Sequence, residues 1–113
     1  MDIREAMYLL FFDFDKSTIG QGGESVLDAV INEISSRPIN SIAVTGHTDT
    51  SGSNRYNTNL AERRAKAVKD ALVARGIDPM TITTQARGES ELLVPTADST
   101  REPANRRATI TFQ

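Results

Sequence analysis

Two stretches with helical spacing each lie between stretches with strand character, and this alternation limits the folds open to the chain more than any other feature. Residues 7–12, "MYLLFF", are a short apolar run ending at Asp13, which reads as a buried strand followed by the polar turn "DFDKSTIGQGG". Val26, Leu27, Val30, Ile31 and Ile34 then recur at helical spacing. With Ser25 and Asp28 as a capping box and Arg37 and Pro38 as the stop, they predict a helix over roughly 24–36. The β-branched "SIAVTG" at 41–46 predicts a second strand. A helix joining two strands of one sheet is a crossover connection, so these strands are expected to run parallel with right-handed chirality.

Ser53 or Asn54 can cap a second, longer helix that runs to Arg75, with Gly76 in the C′ position and Pro79 beyond it. "MTITTQA" at 80–86 and "RATITF" at 107–112 alternate as strands do. Residues 87–105 between them are polar and broken by proline, and are expected to be a loop with a short helical turn. A chain of 113 residues, 38% hydrophobic and 25% charged, has material for one hydrophobic core. The order β-α-β-α-β-β therefore predicts a single α/β domain over 1–113, an open sheet with helices packed on it.

Composition narrows the chemistry. A formal net charge of −2 argues against a general nucleic-acid binder, which needs a surplus of clustered Lys and Arg. With no cysteine, a disulfide framework, a zinc–thiolate centre and a cysteine nucleophile are excluded. One histidine and no spaced carboxylate cluster predict no metal site, the acidic "DFD" turn being a weak calcium candidate or simply a solvated turn. The run at 7–12 is too short to span a membrane and lacks the flanks of a signal peptide, so the chain is expected to be cytosolic or cut from something larger.

The second helix carries the informative anomaly. Stepping about 100° per residue from Leu60 places Tyr56, Leu60, Ala61, Ala67, Val68, Ala71 and Leu72 on one broad side, with Asn57 and Arg64 near its centre. Glu62, Lys66, Lys69 and Asp70 point the other way. A guanidinium facing a sheet must be paired and hydrogen-bonded, because an isolated buried charge is costly. Asp49 lies at the C-terminal end of the second strand, where open α/β sheets place ligands. Asp49 and Arg64 form either a buried ion pair tying loop to helix or the two walls of a ligand cleft, and Asn57 has its own structural role in bonding the loop. His47, Asp49 and Ser51 do not predict a hydrolase, because residues two apart on one strand do not supply triad geometry or an oxyanion hole. An interaction domain that grips a peptide C-terminus through Arg64 is the alternative function.

The segment "GHTDTSGSNRYNTNLAERRAKAV" at 46–68 resembles the signature of the OmpA-like C-terminal domain, the peptidoglycan-binding module of porins, peptidoglycan-associated lipoproteins and flagellar stator proteins. "FFDFDKSTI" at 11–19 is similar to that family's first strand and turn, and "NRRATITF" at 105–112 to its last strand. The resemblance implies a βαβαββ sandwich with a mixed four-stranded sheet, an α+β architecture with two main helices packed on it. It implies non-catalytic binding, without a cofactor, of meso-diaminopimelate in the peptidoglycan stem peptide. By the same resemblance Asp49 takes the ligand's ammonium and Arg64 its carboxylate, while Asn57, Asp13 and Arg106 match residues at or near the pocket. A carboxylate beside a forked guanidinium suits a group that presents an ammonium and a carboxylate together. The chain departs from the family pattern at Ala61, where Ser or Gly is usual, a position that borders packing. The implied setting is the periplasm, in a domain excised from a larger envelope protein tethered to the outer membrane.

Overall fold

A computed structural model of the chain describes residues 7–13, 16–36, 39–50, 52–88 and 105–112. Its elements are β1 (Met7–Phe11), α1 (Gln21–Ser36), β2 (Ile42–His47), α2 (Asn54–Ala74), a 3-10 turn (Pro79–Thr81), β3 (Ile82–Gly88) and β4 (Arg107–Phe112). The strands form one mixed four-stranded sheet in the order β1-β4-β2-β3, with the two helices packed on it. Strands β2 and β3 are parallel neighbours joined through α2, and β4 runs antiparallel to both β1 and β2. Thus β1 and β2 point the same way, as a helical crossover demands, but are not adjacent. The last strand enters between them, where Ile110 pairs with Tyr8 on one side and Val44 on the other. Central placement matches the burial of Ala108, Ile110 and Phe112.

Two element starts differ from the sequence reading, each for a tertiary reason. Helix α1 begins at Gln21, so Ser25 lies inside it and donates to the Gln21 carbonyl at 3.4 Å instead of capping. The extra turn forms despite its glycines because it closes over β1. A Cβ on Gly23 would lie 2.8 Å from Ile19 Cγ2 and 3.3 Å from Leu10 Cδ2, so the absent side chain is what lets the turn approach. Strand β3 begins two residues late, at Ile82, because Asp78 caps the 3-10 turn by accepting from the Met80 N–H at 2.9 Å. The stretch 89–104, expected to be loop with a helical turn, lies outside the described residues, as do the stop signals Arg37 and Pro38.

Both ends of α2 follow their sequence signals. Ser53 Oγ accepts from the Tyr56 N–H at 3.1 Å. At the other end, Gly76 takes φ 97° and donates to Val73 O at 3.0 Å while Ile77 donates to Leu72 O at 3.2 Å, a Schellman motif. Leu60, Ala61, Ala65, Val68 and Leu72 are buried on its inner face together with Asn57 and Arg64. Tyr56, expected on that face, is instead 41% exposed at its rim. The helix meets β2 backbone to backbone, since a Cβ on Gly46 would come within 1.9 Å of the Ala61 carbonyl oxygen. That contact explains why position 61 carries a small residue. On the solvated side, Lys66 pairs with Asp70 at 2.7 Å one turn on.

Helix α1 seals the other half of the core with Leu27 and Val30. The Tyr8 hydroxyl donates to Glu33 at 2.9 Å, fixing β1 to α1. Arg75, just past α2, donates to Glu24 and lies 3.6 Å from Asp28, so the end of one helix is joined to the start of the other. The hydrogen bond to Glu24 is the main reason its pKa is raised above the ordinary guanidinium range, against a lowering from burial.

Candidate functional site

At one end of the sheet the loop after β1, the loop after β2, the middle of α2 and the start of β4 converge on Arg64. Its side chain has no exposed surface. Three of its N–H groups reach backbone carbonyls: Nε donates to Lys16 at 2.9 Å, Nη1 to His47 at 2.8 Å and Nη2 to Asp13 at 3.3 Å. The guanidinium carbon lies 5.2 Å from the centre of the Phe12 ring, close enough for a cation–π contact. A rigid planar fork points its N–H donors in fixed, divergent directions and so holds carbonyls of the turn after β1 and of the end of β2 at once, whereas a lysine would offer its donors from a single atom.

Asp49 is buried as well, at 3% exposure, in the loop that leaves β2 where the pairing of β2 with β3 shifts register between Gly46 and His47. Its Oδ2 lies 3.5 Å from Nη1 of Arg106. Arg106 also donates through Nε to Phe12 O at 3.2 Å and accepts the Phe12 N–H at its own carbonyl at 2.8 Å. It thereby joins the end of β1 to the Asp49 carboxylate. Asn57 holds the same loop from the helix side, its Nδ2 donating to Asp49 O at 3.3 Å and Gly52 O at 3.2 Å. Thr48 and Thr50 are buried within the loop, and the Thr48 hydroxyl has no hydrogen-bond partner among the described residues.

All five residues singled out in the sequence come to this end of the sheet, in unequal roles. Asp49 and Arg64 are both enclosed, on the strand end and the facing helix. Asn57 bonds its own loop, as the local reading of a buried Asn has it. Asp13 is exposed and contributes its carbonyl to Arg64. Arg106 forms the ion pair at the sheet end. The carbonyls of Lys16 and His47 and the ring of Phe12 were not legible beforehand, since a carbonyl is common to every residue and carries no sequence signal. Gly52 carried a signal in retrospect: a Cβ there would lie 2.8 Å from both Asn57 Oδ1 and Tyr56 Cδ1, so a larger residue would push these two side chains from their places on α2.

Ser51, and Phe14 and Asp15 of the "DFD" turn, lie outside the described residues. Among the described residues no group of three or more His, Asp or Glu side chains could hold a metal ion. No helix among them is long and apolar enough to cross a membrane. Among the described residues, this end of the sheet offers the buried Asp49 carboxylate beside the guanidiniums of Arg64 and Arg106, a set complementary to a ligand bearing both an ammonium and a carboxylate.

Comparison with known proteins bears on what such a site serves. Residues 11–106 match the OmpA family. The chain is 39% identical over 100 residues to outer membrane protein A of Bordetella avium, covering 88% of this chain and 52% of that protein. It is 32% identical over 111 residues to the peptidoglycan-associated lipoprotein of Pasteurella multocida, covering 98% of this chain and 74% of that one. The crystal structure of the peptidoglycan-associated lipoprotein from Burkholderia pseudomallei superposes with a TM-score of 0.84 at 27% identity, over 94% of this chain and 90% of that chain. The chain thus spans about half the length of its Bordetella relative.

Proposed function

The chain belongs to the OmpA family, and from that premise we propose that it is a peptidoglycan-binding module that anchors a larger envelope protein to the cell wall. The observation that carries this reading is the burial, at one end of the sheet, of both an acid just past the strand end and an arginine on the helix packed against it: Asp49, which pairs with Arg106, and Arg64. The ligand is the meso-diaminopimelate of the stem peptide. Its ammonium goes to Asp49, beside Arg106, and its carboxylate to Arg64. Of the three carbonyls on Arg64, that of Asp13 is held at the greatest distance, 3.3 Å, and belongs to an exposed residue. A carboxylate reaches the guanidinium most readily by replacing that carbonyl, exchanging a neutral acceptor for a charged one.

Asn57 and Arg106 then act by holding the loop and the strand end in place, and Asp13 acts as the rim. The names of the relatives support the setting: an outer membrane protein and lipoproteins associated with peptidoglycan. On this reading the chain is one domain, works in the periplasm, is tethered to the outer membrane through its parent protein, and binds without catalysis.

Retention on purified sacculi tests the proposal. Sacculi with meso-diaminopimelate stems should hold the protein, and sacculi with lysine stems should hold it at least tenfold less, because a lost hydrogen bond to a charged group costs about 1.5–3 kcal/mol. Asp49→Asn should release the protein from both. Equal retention on the two wall types, or undiminished binding by Asp49→Asn, would overturn the assignment.

A further inference from the structure

We propose that the free domain is latched: the chain leaving β1 keeps Arg64 and Asp49 covered with groups of the protein itself, and a ligand binds only in the fraction of molecules in which that cover has withdrawn. The inference rests on the peptidoglycan reading above and concerns how the same site opens.

Burial and binding are in conflict at this site. Arg64 has no exposed surface and Asp49 is 3% exposed, so neither charge can meet a dissolved ligand in the closed conformation. Each is already engaged by a counterpart of what the ligand would bring. Carbonyl oxygens of Asp13, Lys16 and His47 accept from the guanidinium of Arg64, where a carboxylate is expected. Nη1 of Arg106 lies 3.5 Å from Oδ2 of Asp49, where an ammonium is expected. A ligand carrying both charges therefore enters by exchange, and on Arg64 it replaces a neutral acceptor with a charged one.

The sheet decides which cover yields. His47 ends β2, a strand paired on both sides, and its bond to Arg64 is buried. The bonds to Asp13 and Lys16 are half-buried, and both residues are exposed. They follow β1, which lies at the edge of the sheet and pairs only with β4 among the described residues. The Lys16 N–H donates to the Asp13 carbonyl at 3.1 Å, which links the two covering carbonyls. Arg106 is tied to the same place, since its Nε donates to Phe12 O at 3.2 Å and its carbonyl accepts the Phe12 N–H at 2.8 Å. One movement of the chain leaving β1 thus uncovers the cation and the anion together.

Such a latch has a kinetic signature. When only a fraction of the molecules is open, the apparent association constant is the intrinsic one multiplied by that fraction. Dissociation starts from the open, occupied form and does not depend on it. Ordinary changes of contact act the other way, mostly on dissociation.

The test is stopped-flow binding of a fluorescently labelled, soluble stem peptide ending in meso-diaminopimelate to the purified chain. Lys16→Gly is compared with Lys16→Ala: both remove the same charge and keep the carbonyl, but glycine gains more conformations when the turn opens. Gly20→Ala stiffens the chain between Lys16 and α1. The closed form accepts it, because Gly20 has no positive φ and a Cβ there meets nothing within 4 Å. Association should be roughly two- to fivefold faster for Lys16→Gly than for Lys16→Ala, and slower by a similar factor for Gly20→Ala than for the parent, with dissociation unchanged throughout. Association constants that do not move, or changes that appear in dissociation instead, overturn the latch and leave the stem-peptide reading intact. Failure of the parent to bind the peptide at all overturns both.

Discussion

Replacing Arg64 by methionine should destabilise the domain severely, and the cost can be built from the contacts of the guanidinium. Buried ion pairs can often be exchanged for apolar side chains of similar bulk at little cost, so a substitution of Arg64 together with Asp49 is at first sight benign. The structure argues otherwise, because Arg64 spends three N–H groups on backbone carbonyls that remain when it is gone. A hydrogen bond from a charged donor contributes about 1.5–3 kcal/mol, and a buried acceptor left without a donor costs about 1–3 kcal/mol. The hydrogen bond to the His47 carbonyl is buried, and those to Lys16 and Asp13 are half-buried, where water can reach the freed carbonyl. The contact with Phe12 adds about 0.5–1 kcal/mol. Methionine retains the apolar packing of the stem, so the net loss is about 3–6 kcal/mol, a large part of the roughly 5–15 kcal/mol that holds a small domain folded. In urea, where slopes for small domains are about 1–3 kcal/mol per molar, the unfolding midpoint should fall by at least about 1 M. Adding Asp49→Leu should not restore it, since the three carbonyls stay without their donor and Arg106 loses the Asp49 carboxylate as well. Arg64→Lys, which keeps the charge but not the fork, should fall between. An Arg64→Met midpoint within about 0.3 M of the parent, at unchanged slope, would refute this account of what the arginine does.

Two glycines supply sharper geometric tests. Gly46→Ala would place a methyl 1.9 Å from the backbone oxygen of Ala61, which no rotamer change can relieve, so α2 must shift from β2. The domain should lose about 3 kcal/mol or more, above the usual range for overpacking, and a thermal midpoint within about 4 °C of the parent would contradict the contact. Gly52→Ala meets side chains rather than backbone, Asn57 Oδ1 and Tyr56 Cδ1, each at 2.8 Å. Its stability should fall by only about 1–2 kcal/mol, while retention on meso-diaminopimelate sacculi drops more than tenfold because Asn57 loses its grip on the Asp49 loop. Full retention by a folded Gly52→Ala would show that this loop need not be held.

Local pattern determined a good deal about this protein. The last strand begins at Arg107 and ends at Phe112 as alternation predicts, and Ser53 and Gly76 bound α2 through side-chain and backbone preferences that act within a few residues. Helical spacing alone put Asn57 and Arg64 among buried neighbours, and the sequence around them carried the family resemblance. What only the tertiary structure decided is of another kind. The entry of β4 between β1 and β2 depends on pairing between segments about a hundred residues apart, which alternation within each strand leaves open. The start of α1 was set by the approach of Gly23 to Leu10 and Ile19, against the helix propensity of glycine. The carbonyls that Arg64 holds were hidden for the most basic reason. They are main-chain oxygens of Asp13, Lys16 and His47, identical in chemistry to every other carbonyl in the chain, and only the folded path of the loops aims them at the guanidinium.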